Sequence, residues 1–322
     1  MHMGQKFPAF LAAAMVAAIP AFAQKAPADP ASDEVQHTAP IPDFSGVWDH
    51  PVFPWFEPPA SGPGPVTNLS RWEQFTTAEA ANKALPPGDA GVSDYDQLVG
   101  DYNNPILQPW AAAVVREYGK ISLAGITYRN PSNQCWPFGM PFIYKQAQVE
   151  LLQQPGKITM IYNGGELRRV RMNAGHPSPL KPSWYGDSIG HYDGDTLVID
   201  TVGVRTNRPY GMLDLFGTPY TENLHIVERY RLRDYDEVKD AVDRNRKENW
   251  MFQGDLWKNH RGKFLQVQVT IEDAGVFTTP WTATLTYVPK RDPIAESVCA
   301  ENPHEYYNNG DSDLPKANRP DF

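Results

Sequence analysis

The chain has 322 residues, 41% of them hydrophobic and 21% charged, with a formal net charge of −9. A chain this long buries about three quarters of its unfolded surface, so it needs no metal or disulfide scaffold to fold; its acidic balance excludes a nucleic-acid binder with a basic footprint. Nine Trp and 12% aromatics exclude a disordered chain.

Residues 1–23 have the form of a cleaved secretory signal. Lys6 gives the positive start, Phe10 to Ile19 the apolar stretch, and Ala21-Phe22-Ala23 the small-x-small cleavage site before Gln24. That stretch is too short for a membrane span and is closed by Pro20. The expected address is therefore the periplasm or the exterior, with no membrane span and no nucleic acid among the partners. Residues 24–42, with repeated Ala, Pro and Asp, read as a linker. Residues 43–146 read as an irregular wrap, rich in Pro and aromatics, with two short helices. One runs from Thr77 to Ala84 behind a Thr cap; the other runs from Pro109 to Tyr118, with Pro in its first turn.

From residue 147 to 290 the pattern is β. Strands are expected at Ala147–Gln153, Lys157–Tyr162, Glu166–Met172, Trp184–Tyr192, Asp195–Val204, Asn223–Arg233, Phe264–Glu272 and Trp281–Val288. Pro155-Gly156, Gly164-Gly165 and Asp193-Gly194 punctuate them, and Asp-Gly between alternating runs is a strong hairpin signal. Such short turns imply antiparallel pairing. Eight strands in a meander close most economically into an antiparallel β-barrel, which leaves no edges. Asp236 to Trp250 is charged and helix-permissive, a surface excursion between two strands, and residues 291–322 form a tail. Cys135 and Cys299, an even count in an oxidising compartment, are expected to pair. Closing so long a loop stabilises by about 4–5 kcal/mol in the chain-entropy model. Two buried thiols are the alternative.

No His-Glu-x-x-His, Walker loop, dinucleotide fingerprint or nucleophile elbow is present. Acid–base chemistry without a cofactor, or binding alone, are the readings that survive. The densest polar region runs from Arg168 to Arg231 and holds His176, His191 and His225 with Asp187, Asp195, Asp200, Glu222 and Glu228. On the strand from Asn223, period two puts His225, Val227, Arg229 and Arg231 on one face and Leu224, Ile226, Glu228 and Tyr230 on the other. Whichever face is buried takes an ionisable group with it, so Glu228 or Arg229 needs a specific partner. Cross-strand ion pairs from Arg168, Arg169 or Arg171 to these acids are a purely structural account of the same residues.

As catalytic candidates, His176 and His225 are the bases and Glu222 or Asp200 the orienting carboxylate, since histidine near a carboxylate titrates close to neutral pH. Arg229 and Arg169 suit a substrate carboxylate, and Tyr220 and Trp184 an aromatic pocket. The spacings of histidines 176, 191 and 225 match no compact ligand motif, so no metal is expected.

Gly46-Val47-Trp48 resembles the entry of lipocalin-type barrels, where the indole plugs one barrel end. Over Ile41 to Phe322 further motifs stand out. They are Asn133-Gln134-Cys135-Trp136-Pro137, Pro182-Ser183-Trp184-Tyr185-Gly186-Asp187-Ser188 and Gly194-Asp195-Thr196-Leu197-Val198-Ile199-Asp200-Thr201. Leu224-His225-Ile226-Val227-Glu228-Arg229-Tyr230, Thr279-Pro280-Trp281 and Val298-Cys299-Ala300-Glu301-Asn302 follow. With these the chain resembles a large family of secreted bacterial proteins. The resemblance implies a secreted address and one continuous unit, and supplies no substrate. Its pattern includes the pairs met here by His176-Pro177 and Leu224-His225. Where relatives often carry a His after a Pro, this chain has Pro219-Tyr220, whose ordinary pKa is about 10 against 6.5 for histidine.

The leading expectation is a periplasmic, cofactor-independent acid/base enzyme of lyase, hydratase or isomerase type, acting on a small aromatic or polycyclic molecule. The alternative is a non-catalytic barrel that binds a small hydrophobic ligand. A third reading, an envelope interaction protein, uses the N-terminal wrap and the Tyr306-Tyr307 tail for docking.

Overall fold

The computed structural model describes residues 41–51, 56–72, 84–85, 92–94, 97–126, 128–206, 211–248 and 259–296. The signal segment, most of the linker, most of the helix expected from Thr77, Cys299 and the Tyr306-Tyr307 tail lie outside these residues. Nine strands close into a barrel. In chain order they are β1 (Gly46–Asp49), β2 (Gln148–Gln154), β3 (Lys157–Tyr162), β4 (Leu167–Met172), β5 (Asp187–Asp193), β6 (Thr196–Val202), β7 (His225–Arg233), β8 (Phe264–Glu272) and β9 (Trp281–Lys290). Around the wall the order is β1-β9-β8-β7-β6-β5-β4-β3-β2, and β2 pairs back to β1.

The expected barrel is present, with two differences in how it closes. The ninth strand, β1, comes from the segment read as a wrap: Val47 pairs with Lys290 on one side and with Glu150 on the other. The likeness of Gly46-Val47-Trp48 to a barrel entry points to this place, although four residues between polar neighbours carry too little alternation to mark a wall strand by themselves. The second difference is that β4 and β5 run parallel, Val170 opposite Ser188, while every other pairing in the wall is antiparallel. Parallel neighbours need a crossover rather than a hairpin. Residues 173–186, rich in Pro and Gly, provide it.

Turn chemistry sets the hairpins. Pro155-Gly156 joins β2 to β3 with Gly156 at φ 78°, the positive value that a type II turn demands at that place. Between β5 and β6 the turn lies one residue further on than the Asp-Gly reading: Asp193 pairs with Thr196, so the central residues are Gly194 and Asp195. Gly194 alone of the two has positive φ, which suits type II′ rather than type I′.

Alternation decides what lies inside. Ile226, Glu228 and Tyr230 of β7 point inward, with Ile199 and Thr201 of β6, Arg168 and Val170 of β4 and Leu265, Val267, Val269 and Ile271 of β8. Trp48 is inward too, 6% exposed, with its indole N–H donated to the Phe44 carbonyl at 2.9 Å. A short 3-10 turn at Phe142–Lys145 adds Phe142 and Tyr144 to the same core. Side chains thus occupy the interior.

The buried charge foreseen on β7 is Glu228, and its partner is Arg168. Arg168 Nη1 donates to Glu228 Oε1 at 2.9 Å and Nη2 to Oε2, while Nη2 also reaches Thr201 Oγ1 at 2.8 Å and Nε reaches Ser188 Oγ at 3.1 Å. The hydroxyls of Tyr144 and Tyr230 donate to Glu228 Oε1 at 2.5 and 2.7 Å. Burial by itself would raise the Glu228 pKa, but the Arg168 charge and these bonds outweigh it and hold the carboxyl below its usual range. The arrangement meets the requirement that a buried ion be both paired and fully hydrogen-bonded.

Among the described residues two α-helices pack outside the barrel. α1 (Pro109–Leu123) begins on its Pro and buries Ala111, Val115 and Gly119. α2 (Tyr235–Glu248) is the charged excursion, and its Val238 and Val242 cover Phe264 and Val288 on the outer wall. Neither described helix is long and apolar enough to cross a membrane.

Candidate functional site

The parity that puts Glu228 inside puts His225 outside. On the same outer face the register brings five strands' side chains into one row. His225 lies directly opposite Glu272 of β8. Asp200 of β6 sits between Val227 and Ile189, so His225 meets it on the diagonal, within reach of a long side chain. Asp187 opens β5, and Arg171 lies on β4 opposite Ile189. The sixth member, His176, arrives from the crossover.

Together they form a chain in which basic side chains and carboxylates alternate. Arg171 Nη2 donates to both oxygens of Asp187, at 2.7 and 3.0 Å. Asp187 Oδ1 is 2.7 Å from His176 Nδ1, and His176 Nε2 is 2.9 Å from Asp200 Oδ1. Asp200 Oδ2 is 2.9 Å from His225 Nε2, and His225 Nδ1 is 3.3 Å from Glu272 Oε2. Every ring nitrogen faces a carboxylate oxygen, which accepts only. A neutral imidazole has one N–H and one lone pair, so the full set of bonds is made when the ring carries both protons.

The electrostatics agree where a shift is resolved. Partial burial pulls the His225 pKa down, but the hydrogen bonds and charges of Asp200 and Glu272 outweigh it, and the net shift is upward from 6.5. Burial pushes Asp200 up, and the hydrogen bonds of His225 and His176 outweigh that, so its carboxyl is held below 3.8. The two histidines are not held alike. His176 is clamped by two short bonds, one to a carboxylate that Arg171 itself grips. His225 has one short bond and one long one, the latter to Glu272, whose side chain is 47% exposed. The Nδ1 edge of His225 is therefore the edge of this chain most open to exchange.

Of the residues singled out from sequence, His176, His225 and Asp200 come together. Glu222 is exposed in the turn ahead of β7. Arg229 is on the outer face of β7, four residues along from His225 and opposite Gln268 and Val198. Arg169 is exposed on the outer face of β4. Tyr220 is buried instead of lining the site, with its hydroxyl donated to the Arg205 carbonyl at 3.1 Å and its pKa raised by burial. Trp184 lies in the crossover, half-buried, and its carbonyl accepts the Met140 N–H at 3.0 Å. Among the described residues no three His, Cys, Asp or Glu side chains are arranged to hold a metal ion. Cys135 lies in the turn before Trp136, with φ 48°.

Sequence reasoning gave Glu272 no role, because its place opposite His225 is a matter of register between strands separated by α2. Arg171, Asp187 and His176 were visible as members of the polar region, without the contacts that join them. His50 was missed altogether: it is fully buried, its Nδ1 is 2.6 Å from the Pro51 carbonyl, and burial pushes its pKa down to about 4. Comparisons with family models, with curated proteins and with solved structures found no match.

Proposed function

We propose that this chain is a cofactor-independent acid/base enzyme of lyase, hydratase or isomerase type, and that its working pair is Asp200 and His225 on the outer wall. The observation that carries the reading is the unequal hold on the two nitrogens of His225. When the ring loses a proton, the weaker Nδ1 contact yields it while Nε2–H stays on Asp200. A neutral imidazole oriented by a carboxylate, with its free lone pair at an exposed edge, is the arrangement of a general base. It takes a proton from a carbon acid and, as imidazolium, returns one to a leaving group or to a neighbouring carbon. His176 braces the other oxygen of Asp200 and is a positioning residue. A substrate that displaces Glu272 finds Arg229 further along the same strand face, suited to a carboxylate.

The substrate on this reading is a small aromatic or polycyclic molecule, and the address is the periplasm or exterior, with Cys135 and Cys299 bridged. A non-catalytic carrier would depend on a guest inside the barrel, where the inward positions are taken up by Arg168, Glu228 and their apolar neighbours; the outer wall is the better support for function. The direct test is mass spectrometry of small molecules that co-purify with the exported protein, followed by their incubation with it in D2O. Deuterium gained by the ligand, or a product differing by water or a leaving group, is the expected result. A ligand recovered unchanged and unlabelled would refute the enzyme and favour the carrier.

A further inference from the structure

The 3-10 turn at Phe142–Lys145 buries its first three residues and leaves Lys145, at its end, half-buried. The Lys145 ammonium lies over the Phe138 ring, 5.5 Å from its centroid. That ring stands edge-on to Phe142 at 5.3 Å and packs on the core. Among the described residues the ammonium makes no salt bridge and no hydrogen bond. An amine desolvated without a counter-ion in contact gives up its proton more readily than one in water. Burial accordingly holds the Lys145 pKa below 10.5, although the Glu166 charge works the other way.

Glu166 is the neighbouring acid, brought from the turn between β3 and β4. Its Oε2 accepts an N–H of Gln146 Nε2 at 3.1 Å. A Cβ at Gly164 would lie 2.2 Å from both of these atoms, so the glycine leaves the room that the pair fills. Burial raises the Glu166 pKa above 4.5, and its hydrogen bonds and the Lys145 charge offset only part of that. Tyr185, packed on the core from the crossover, has its hydroxyl pushed up to about 12 by burial and by the Glu166 charge. An amine, a carboxyl and two aromatic rings thus come together, and none of them belongs to the row from Arg171 to Glu272.

We propose that Lys145 and Glu166 form a second reactive site, in which the Lys145 amine condenses with the carbonyl group of an aromatic aldehyde or ketone. The neutral nitrogen adds its lone pair to the carbonyl carbon, the usual chemistry of a lysine in an apolar setting. Two protons pass from the nitrogen to the carbonyl oxygen by way of the Glu166 carboxyl. The C–O bond breaks and water leaves, so that amine and carbonyl become imine and water with no change of oxidation state. The rings of Phe138 and Tyr185 beside the pair suit an aromatic partner over an aliphatic one. The reading of Asp200 and His225 does not enter into this site.

The test incubates the full chain near neutral pH with benzaldehyde and sodium cyanoborohydride, which reduces an imine to a stable secondary amine. Labelling at each lysine is followed in time by peptide mapping with mass spectrometry. Lys145 is expected to label several-fold faster than the exposed Lys157 and Lys181, at a rate that saturates in benzaldehyde while theirs rises linearly. Propanal in place of benzaldehyde should remove that lead. Partial burial alone would make Lys145 the slower residue, so a rate no greater than theirs, or one that does not saturate, overturns the site; an equal lead with propanal overturns the aromatic class. Glu166→Gln gives a second comparison. Loss of the carboxylate charge alone would make the amine less basic and its labelling faster, whereas loss of a proton carrier makes it slower. A several-fold slower reaction at Lys145, with Lys157 and Lys181 unchanged, is expected, and an unchanged or faster one overturns the role of Glu166. Wild type alone decides the role of Lys145 if that variant does not fold.

Discussion

Two ion networks occupy opposite faces of the same strands. Inside, β4 contributes Arg168, β6 Thr201 and β7 Glu228; outside, the same three strands contribute Arg171, Asp200 and His225. The side chains of Arg168 and Glu228 are 1% and 0% exposed, whereas those of His225 and Asp200 are 32% and 36% exposed. The inner network is built on a guanidinium that does not deprotonate in proteins, and its acceptors are saturated. The outer one is built on two imidazoles set between carboxylates and partly open to water. The same hydrogen-bond chemistry thus serves architecture where water is excluded and groups are permanently charged, and suits proton transfer where the groups are titratable and half-open.

That comparison is broken most forcefully from the inside. Arg168→Met leaves Glu228 buried without its cation and is expected to cost about 3–5 kcal/mol of stability, read as a lower denaturation midpoint at unchanged m-value. Adding Glu228→Leu to it should restore much of that loss, because replacing both members of a buried pair with apolar groups is often neutral. An additive double variant would mean that the pair is not the unit described. On the outer wall the effect should fall on rate instead. His225→Gln is expected to lower turnover by about 100- to 10,000-fold, the span of general acid–base contributions, with stability within about 1 kcal/mol of wild type. A stability loss matching that of Arg168→Met would make the outer network architectural as well.

Smaller still is the inner effect of one hydroxyl. Tyr230→Phe removes one of the bonds to Glu228 while Arg168 remains, for a loss of about 1–2 kcal/mol in the same denaturation experiment. The pH dependence of the outer network is weakest, because water screens groups this exposed. Since the His225 pKa is raised on folding, its contribution is complete below 6.5 and is lost as pH rises through the folded value. Asp200 is shifted downward, so its contribution is present above 3.8 and is lost as pH falls through the folded value. Stability of wild type minus His225→Gln should therefore be largest between those limits and under about 1 kcal/mol. A difference that grew on the alkaline side would contradict the assignment of both protons to His225.

How far the site was legible depends on the range of each signal. The opposition of His225 to Glu228 follows from period two within one strand, and so did the demand that a buried charge find a partner. Which of Arg168, Arg169 and Arg171 answers that demand was not legible, because it turns on which face of β4 points inward. His176 and Asp200 were recognisable as candidates by residue type. That His176 and His225 share the one carboxylate of Asp200 comes from a parallel crossover, whose only local trace is a run of Pro and Gly between two strands.

The sequence by itself determined the strands, most of their turns, the alternation along each and the presence of ionisable groups on both faces of β7, since all of these are set by neighbours a few residues apart. Only the tertiary structure decided that β1 closes the wall, that β4 and β5 run parallel, that Arg168 meets Glu228 and that six ionisable side chains from five strands and a loop line up on the outside. Those are outcomes of register and closure, which depend on how distant segments bury their apolar faces together, and a one-residue slip in any of them would exchange the inner network for the outer one.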